Sequence, residues 1–291
     1  PELVERLFKS IIQTTTKLNE VEVIMYMDDD DIKSHHLTAN EFTVKKIIGP
    51  AISMGLCNTE CLKIAKGSII ILANDDMIIR TNGWDERVME LHHILDHQIY
   101  LAYPNDLIKK NKLCTFPILS RRLCELLVEP YPKEYSGGFI DWHLQDIFVR
   151  LKKNGHNLIF YLDDVIFEHL HFKVGKATMD DTYKKSARYS GDAEFVGLAE
   201  MRRQAALCLM RSLNGADNVN LEAAPMRRFR EFTQPSSIFK ALALYSRVFL
   251  GDRTLPFGWR FHLWLRTFAR YLAGRGLLWP FYQAFLLLTI A

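Results

Sequence analysis

Apolar positions along the chain alternate between two periods, and the alternation predicts an α/β fold. Helical spacing runs over Leu3–Thr15, Asn58–Ala65, Trp84–Leu95, Trp142–Lys153 and Ala193–Asn214. Strand-length apolar runs cover Val21–Met27, Lys45–Gly49, Ser68–Ala73, Gln98–Tyr103, Cys114–Leu119 and Leu158–Leu162, with Asp163-Asp164 as a turn and Val165–Glu168 following. Asp85 and Glu86 suit the positive end of their helix, and Asn154-Gly155 is a good C-terminal stop. Lys173–Ser190 reads as a polar loop and a boundary. The run Ile69-Ile70-Ile71-Leu72 is unbroken rather than alternating, which predicts a central strand covered on both faces of a mostly parallel sheet.

Two of these runs end in acids. Ile69–Ala73 delivers Asn74-Asp75-Asp76, and Val21–Met27 delivers Asp28 to Asp31. In a parallel sheet both tips open on one edge, where doubly wound sheets bind ligands. Hard oxygen ligands at a strand tip suit Mg²⁺ or Mn²⁺, which take their other ligands from water and substrate phosphates. Asp28, first off its strand, is the member of its run expected in the pocket. Asp141 follows Gly137 and Gly138, which let backbone approach a ligand closely, and it opens a helix that would fix a carboxylate. Trp84 and Trp142 either stack on a ring or fill the core, and core is the expectation for Trp84.

The ordered series of motifs resembles the family-2-like glycosyltransferases of GT-A fold, of the bacterial polysaccharide or lipid-linked glycan type. It runs from the strand with Asp28, through Asn58 to Gly67, Asn74-Asp75-Asp76, Gly83-Trp84-Asp85 and Gly137-Gly138-Phe139-Ile140-Asp141-Trp142, to Val165-Ile166-Phe167-Glu168-His169. The resemblance covers about the first 170 residues. It implies a nucleotide-diphosphate-sugar donor, UDP-sugar by family weight, contacted by Asp28, Asn58, Asn74 and Asp75. It further implies Mn²⁺ or Mg²⁺ on Asp76 and His169, and Asp141 as the base that activates an acceptor hydroxyl of a glycan or lipid-linked molecule, with inversion, as in the resembled family. The chain departs from the pattern where Asn74 replaces the first Asp of the DxD-type motif. The spacing from Asp141 to Gly155 is also longer by roughly one helical turn, which makes Asp146 a rival base. The family's first strand has no counterpart ahead of Leu3, so N-terminal clipping is expected. His169 and His171 should face opposite ways on an extended segment, leaving one to reach the site.

Composition adds a charge asymmetry. From Met201 onward there are 13 Lys and Arg against 4 Asp and Glu, net +9, and the remainder holds 24 against 30, net −6. Trp and Phe interleave with Arg after Ser236, which suits an anionic membrane surface and not nucleic acid. The apolar segment Gly276–Ala291 is shorter than the roughly 20 residues of a spanning helix and carries Pro280, so peripheral attachment is expected. Five scattered cysteines without paired spacing argue against structural zinc or a disulfide framework and suit a reducing cytoplasm, placing the protein on the inner face of the membrane. The expected organisation is a catalytic domain over 1–175, a helical linker region over 176–235 and amphipathic membrane-associated helices over 236–291. Competing readings are a sugar-phosphate nucleotidyltransferase and a scaffold that keeps the fold without turnover.

Overall fold

The computed structural model describes residues 1–127, 129–171, 175, 191–215 and 234–276. Apart from Gly175 and Gly276, the loop expected at Lys173–Ser190 and the apolar segment Gly276–Ala291 lie outside them. The chain divides into two compact units, 1–142 with 158–180, and 143–157 with 181–291.

The first unit opens with α1 (Glu2–Thr14), which buries Leu7, Phe8 and Ile11, one helical face. Strands β1 (Glu22–Asp28) and β2 (Thr43–Gly49) pair in parallel, Glu22 opposite Thr43 and Asp28 opposite Gly49. Helix α2 (Met54–Ile64) starts four residues earlier than Asn58 because Ser53 caps it, its hydroxyl accepting the Leu56 amide. Gly55 is required there, since a Cβ would stand 2.0 Å from the Pro132 carbonyl oxygen. Next come β3 (Ile69–Ile71), β4 (Met77–Ile79), α3 (Trp84–Ile94), β5 (Leu101–Asn105), β6 (Ile118–Ser120), α4 (Arg121–Leu127), α5 (Ile140–Lys153) and β7 (Ile159–His169). The core gathers Leu7, Phe8 and Ile11 with Met77, Ile79, Trp84 and Phe167. Trp84 is core, its ring edge-on to Phe167 at 5.4 Å and its Nε1 donating to Thr15 Oγ1.

The α/β class with a mixed sheet and flanking helices is present. Among the described residues β1–β2 and β5–β7 pair in parallel, while β3–β6, β5–β6 and β4–β7 are antiparallel. The five-stranded sheet runs β3-β6-β5-β7-β4, so β3 is an edge and not the expected centre. Its three isoleucines are only half-buried. They border an apolar cavity of about 960 Å³ that is also lined by Val21 and by Glu22 to Ile24 of β1. The Glu22 carboxylate ties the two strands at one end, accepting the Lys66 and Gly67 amides and the Lys45 ammonium. The Asp163-Asp164 turn is likewise absent: β7 is continuous, and the two acids bulge outward where the register with β5 shifts between Pro104 and Asn105.

The second unit holds α5 from His143 onward and the helices Asp192–Gly197, Ala199–Leu213, Ile238–Tyr245 and Phe257–Gly274, with a π-turn at Ser246–Leu250. His143–Asn157 groups here because Asp146 and Arg150 are bound by Arg202, Asp252 and Trp259. The described part of the expected linker packs Phe195, Leu198, Met201 and Leu209 into this core. No helix among the described residues is long and apolar enough to cross a membrane.

Candidate functional site

In the first unit β4 and β7 run antiparallel with Met77 opposite His169, so the residue before β4 meets the last residue of β7. Asp76 and His169, 93 positions apart, are thereby brought side by side, Oδ2 to Nε2 at 3.0 Å. The Leu170 amide donates to the Asp76 carbonyl at 2.8 Å and locks this corner. Both side chains are largely shielded, whereas Asn74 and Asp75 are exposed.

The loop before β6 links this corner to the start of α5. Its Phe116, held at φ 55, packs edge-on against the His169 ring at 5.1 Å. Two residues earlier, the Cys114 thiol donates to the Asp141 carbonyl oxygen at 3.0 Å. Asp141 lies in the first turn of α5 with its Oδ1 accepting the Trp142 amide at 2.8 Å. Just ahead, Phe139 sits at φ 74 and stacks on Tyr135 at 6.4 Å. A non-glycine residue in left-handed backbone costs on the order of 1–3 kcal/mol, and such positions cluster at ligand sites. Gly137 and Gly138 stand in open space, so no close approach within the chain requires them.

The remaining candidates are placed apart. Asp28 is exposed at the tip of β1, its carbonyl accepting from His35 Nε2, and Asn58 lines the apolar cavity on α2. That cavity includes Ala73 but not Asp28, Asp75, Asp76, Asp141 or His169, so it is not where the carboxylates gather. The expected opposition of His169 and His171 is overturned. Strand β7 ends at His169, and the His169 and His171 rings meet at 5.1 Å.

Asp146 is unsuited to be a base. It is fully buried in the second unit, with Oδ2 accepting Arg150 Nη2 at 2.8 Å and Arg202 Nε at 2.8 Å, and Oδ1 accepting Trp259 Nε1 at 2.9 Å. Burial opposes its charge, but the Arg150 and Arg202 guanidiniums overcome that and hold its pKa below the ordinary carboxylate value. A carboxylate sealed from solvent and saturated by cations cannot take a proton from an acceptor.

One residue at this corner escaped the sequence reading. Asp106, directly after β5, is buried; its Oδ1 accepts the amides of Ile108, Lys109 and Lys110, and its carbonyl accepts the His169 amide at 3.2 Å. The signal was the same as for Asp76, an acid leaving a strand, but the expected strand ended at Tyr103 and hid it. Among the described residues no three His, Cys, Asp or Glu side chains converge on a metal-sized space. Asp76 and His169 place a carboxylate and an imidazole side by side, two groups that could hold a divalent metal completed by water and phosphate oxygens.

No family model matches the sequence, and no curated protein does. Similar solved structures include S. aureus TarS, at 13% identity over 94% of this chain and 51% of that chain, with a TM-score of 0.50. TarS 1–349 is similar at 12% identity, covering 94% and 88%, with a TM-score of 0.46. The mannosyltransferase PcManGT from Pyrobaculum calidifontis, in complex with GDP-Man and Mn²⁺, is similar at 12% identity, covering 96% and 84%, with a TM-score of 0.47. The likeness is one of fold: this chain has a GT-A-like α/β architecture.

Proposed function

We propose that the protein is a nucleotide-sugar-dependent glycosyltransferase, related to the family-2 enzymes, that moves a sugar from a nucleoside diphosphate to a hydroxyl of a glycan or lipid-linked acceptor with inversion. The observation that carries this reading is the Asp76–His169 pair at the joined ends of β4 and β7, linked through the Cys114–Phe116 loop to the Asp141 helix start. The GT-A-like architecture supports it.

In this reading Asp76 and His169 hold Mn²⁺ or Mg²⁺, which when bound supplies Lewis-acid charge to the diphosphate oxygens. Asp75 and Asn74, exposed beside them, contact the ribose and phosphates, and Asp28 and Asn58 contribute to the nucleotide side, UDP being the expected carrier. Asn74 offers a neutral amide where a second charge would otherwise stand, so the metal rests on Asp76 and His169. Asp141 accepts the proton of the attacking hydroxyl, a role typically worth about 10²–10⁴-fold. The exposed Gly137-Gly138 segment leaves room for the acceptor next to it.

Calorimetry of nucleoside diphosphate binding with and without Mn²⁺, on wild type and Asp76→Asn, tests the reading, together with a nucleotide-sugar screen for released diphosphate. Metal-dependent binding in wild type, lost in the variant, is the expected result. Pyrophosphate release from a nucleoside triphosphate and a sugar phosphate would favour the nucleotidyltransferase instead. Metal-dependent binding without any transfer would favour the scaffold.

A further inference from the structure

The two C-terminal helices of the second unit have an inner and an outer side. The inner side buries Tyr245 of Ile238–Tyr245 and Leu263, Thr267 and Tyr271 of Phe257–Gly274, the latter three at helical spacing. Beside that row runs a ladder at spacings of four, three and four: Phe257, Phe261, Trp264 and Phe268, each stacked on the next with centroids 6.4, 5.7 and 5.7 Å apart. Its far end is anchored in the unit, Trp264 Nε1 donating to Ser246 Oγ at 3.1 Å and Phe268 stacking on Tyr271 at 6.4 Å, and its near end opens to solvent. Phe257 is 67% exposed and Phe261 45%. The neighbouring helix adds Phe239, 83% exposed, with Ile238 and Leu242. Exposed rings such as Phe239, Phe257 and Phe261 are costly in water, because each carries a large apolar area.

Charge decides what covers it. Between residues 234 and 276 the sequence holds seven Lys and Arg against one acid, Asp252. That acid is no surface charge: it is buried and bound to Arg150 at 2.7 Å. Lys240, Arg247 and Arg253 are exposed, and Arg260 lies over the Phe257 ring at 5.4 Å. Arg270 is held by Asp192 at 2.7 Å, so the surface charge rests on Lys240, Arg247 and Arg253. Exposed aromatics beside exposed cations match the boundary of an anionic bilayer, where rings enter the acyl edge and cationic heads meet lipid phosphates.

We infer that the Ile238–Tyr245 and Phe257–Gly274 helices form a peripheral docking face for an anionic lipid surface, with the exposed rings of Phe239, Phe257 and Phe261 lying in the headgroup boundary. Phe257–Gly274 is 18 residues long and amphipathic, which suits a helix lying in the membrane plane. The inference is independent of the sugar-transfer reading, since its test needs no substrate.

The full chain is sedimented with vesicles of phosphatidylcholine, alone or mixed with phosphatidylglycerol, at low and high salt. Binding should be at least about tenfold tighter to the mixed vesicles and weaken with salt, leaving a salt-resistant part from the rings. Phe257→Ser with Phe261→Ser should lower the affinity by about tenfold or more at either salt, because two exposed rings lose their apolar contact. Lys240→Glu with Arg247→Glu should lower it about fivefold per removed charge at low salt only. These positions are exposed, so circular dichroism should match wild type in both variants. Failure of wild type to bind, or equal binding to neutral and anionic vesicles, overturns the inference. So does a wild-type dimer in light scattering that the Phe variant converts to monomer, which would assign the face to a second copy of the chain.

Discussion

Asp146→Asn separates a structural carboxylate from a catalytic one. In the second unit Asp146 and Asp252 balance Arg150 and Arg202, all four at or below 4% exposure, so the cluster holds two negative and two positive charges. Replacing Asp146 leaves two buried cations facing one carboxylate, and the amide cannot restore the charge. Breaking a buried ion pair from one side costs about 3–5 kcal/mol, whereas an exposed pair costs at most about 1. With a urea slope of about 2–3 kcal/mol per molar, the midpoint should fall by roughly 1–2 M. Asp141→Asn removes a charge in the first turn of its helix, where the carboxylate accepts the Trp142 amide, and should move it little. Urea unfolding followed by circular dichroism measures both. A wild-type midpoint for Asp146→Asn, combined with lost transfer, would refute the argument and return Asp146 to the role of base.

Two further outcomes follow from named groups. Asp141→Asn should keep nucleoside diphosphate affinity and lower transfer by about 10²-fold or more, read as a fall in kcat without a matching change in donor binding. For Asp252, burial opposes the charge, but Arg150 and Thr254 hold the folded pKa down at about 2, against an ordinary 3.8. A lowered carboxylate pKa stabilises the fold above the unfolded value and loses that contribution as pH falls from about 4 toward 2. The gap corresponds to about 2 kcal/mol. Wild type should therefore lose stability across that window more steeply than Asp252→Asn, measured as urea midpoints at successive pH values.

The local part of this architecture was legible, and the non-local part was not. Helices α1, α3 and α5 announce themselves by spacing and by acids at their starts. The short strand β4 follows its neighbour's acidic tip after no apolar gap, and only its pairing with β7 makes it a strand. Ile69–Ile71 reads as central because apolar residues are insensitive to which neighbour covers them, and the sheet order places it at an edge. Asp76 and His169 were each picked out as strand-end residues; their meeting depends on an antiparallel pairing that the expected parallel sheet did not contain. Asp146 stood as a rival base because sequence distance along α5 says nothing of Arg202 or Asp252, 56 and 106 positions away, which neutralise its cluster. Five residues along a helix turn about 140°, so Asp141 and Asp146 share an element without sharing a face.

The cavity between β1 and β3 has a consequence for handling the protein. Among the described residues β1 pairs with β2 alone and β3 with β6 alone, so each keeps one main-chain edge unpaired beside a void of about 960 Å³. An extended apolar segment from any chain could bond along either edge while covering the isoleucines. Association that grows with concentration is therefore the expected outcome, and light scattering over a dilution series measures it.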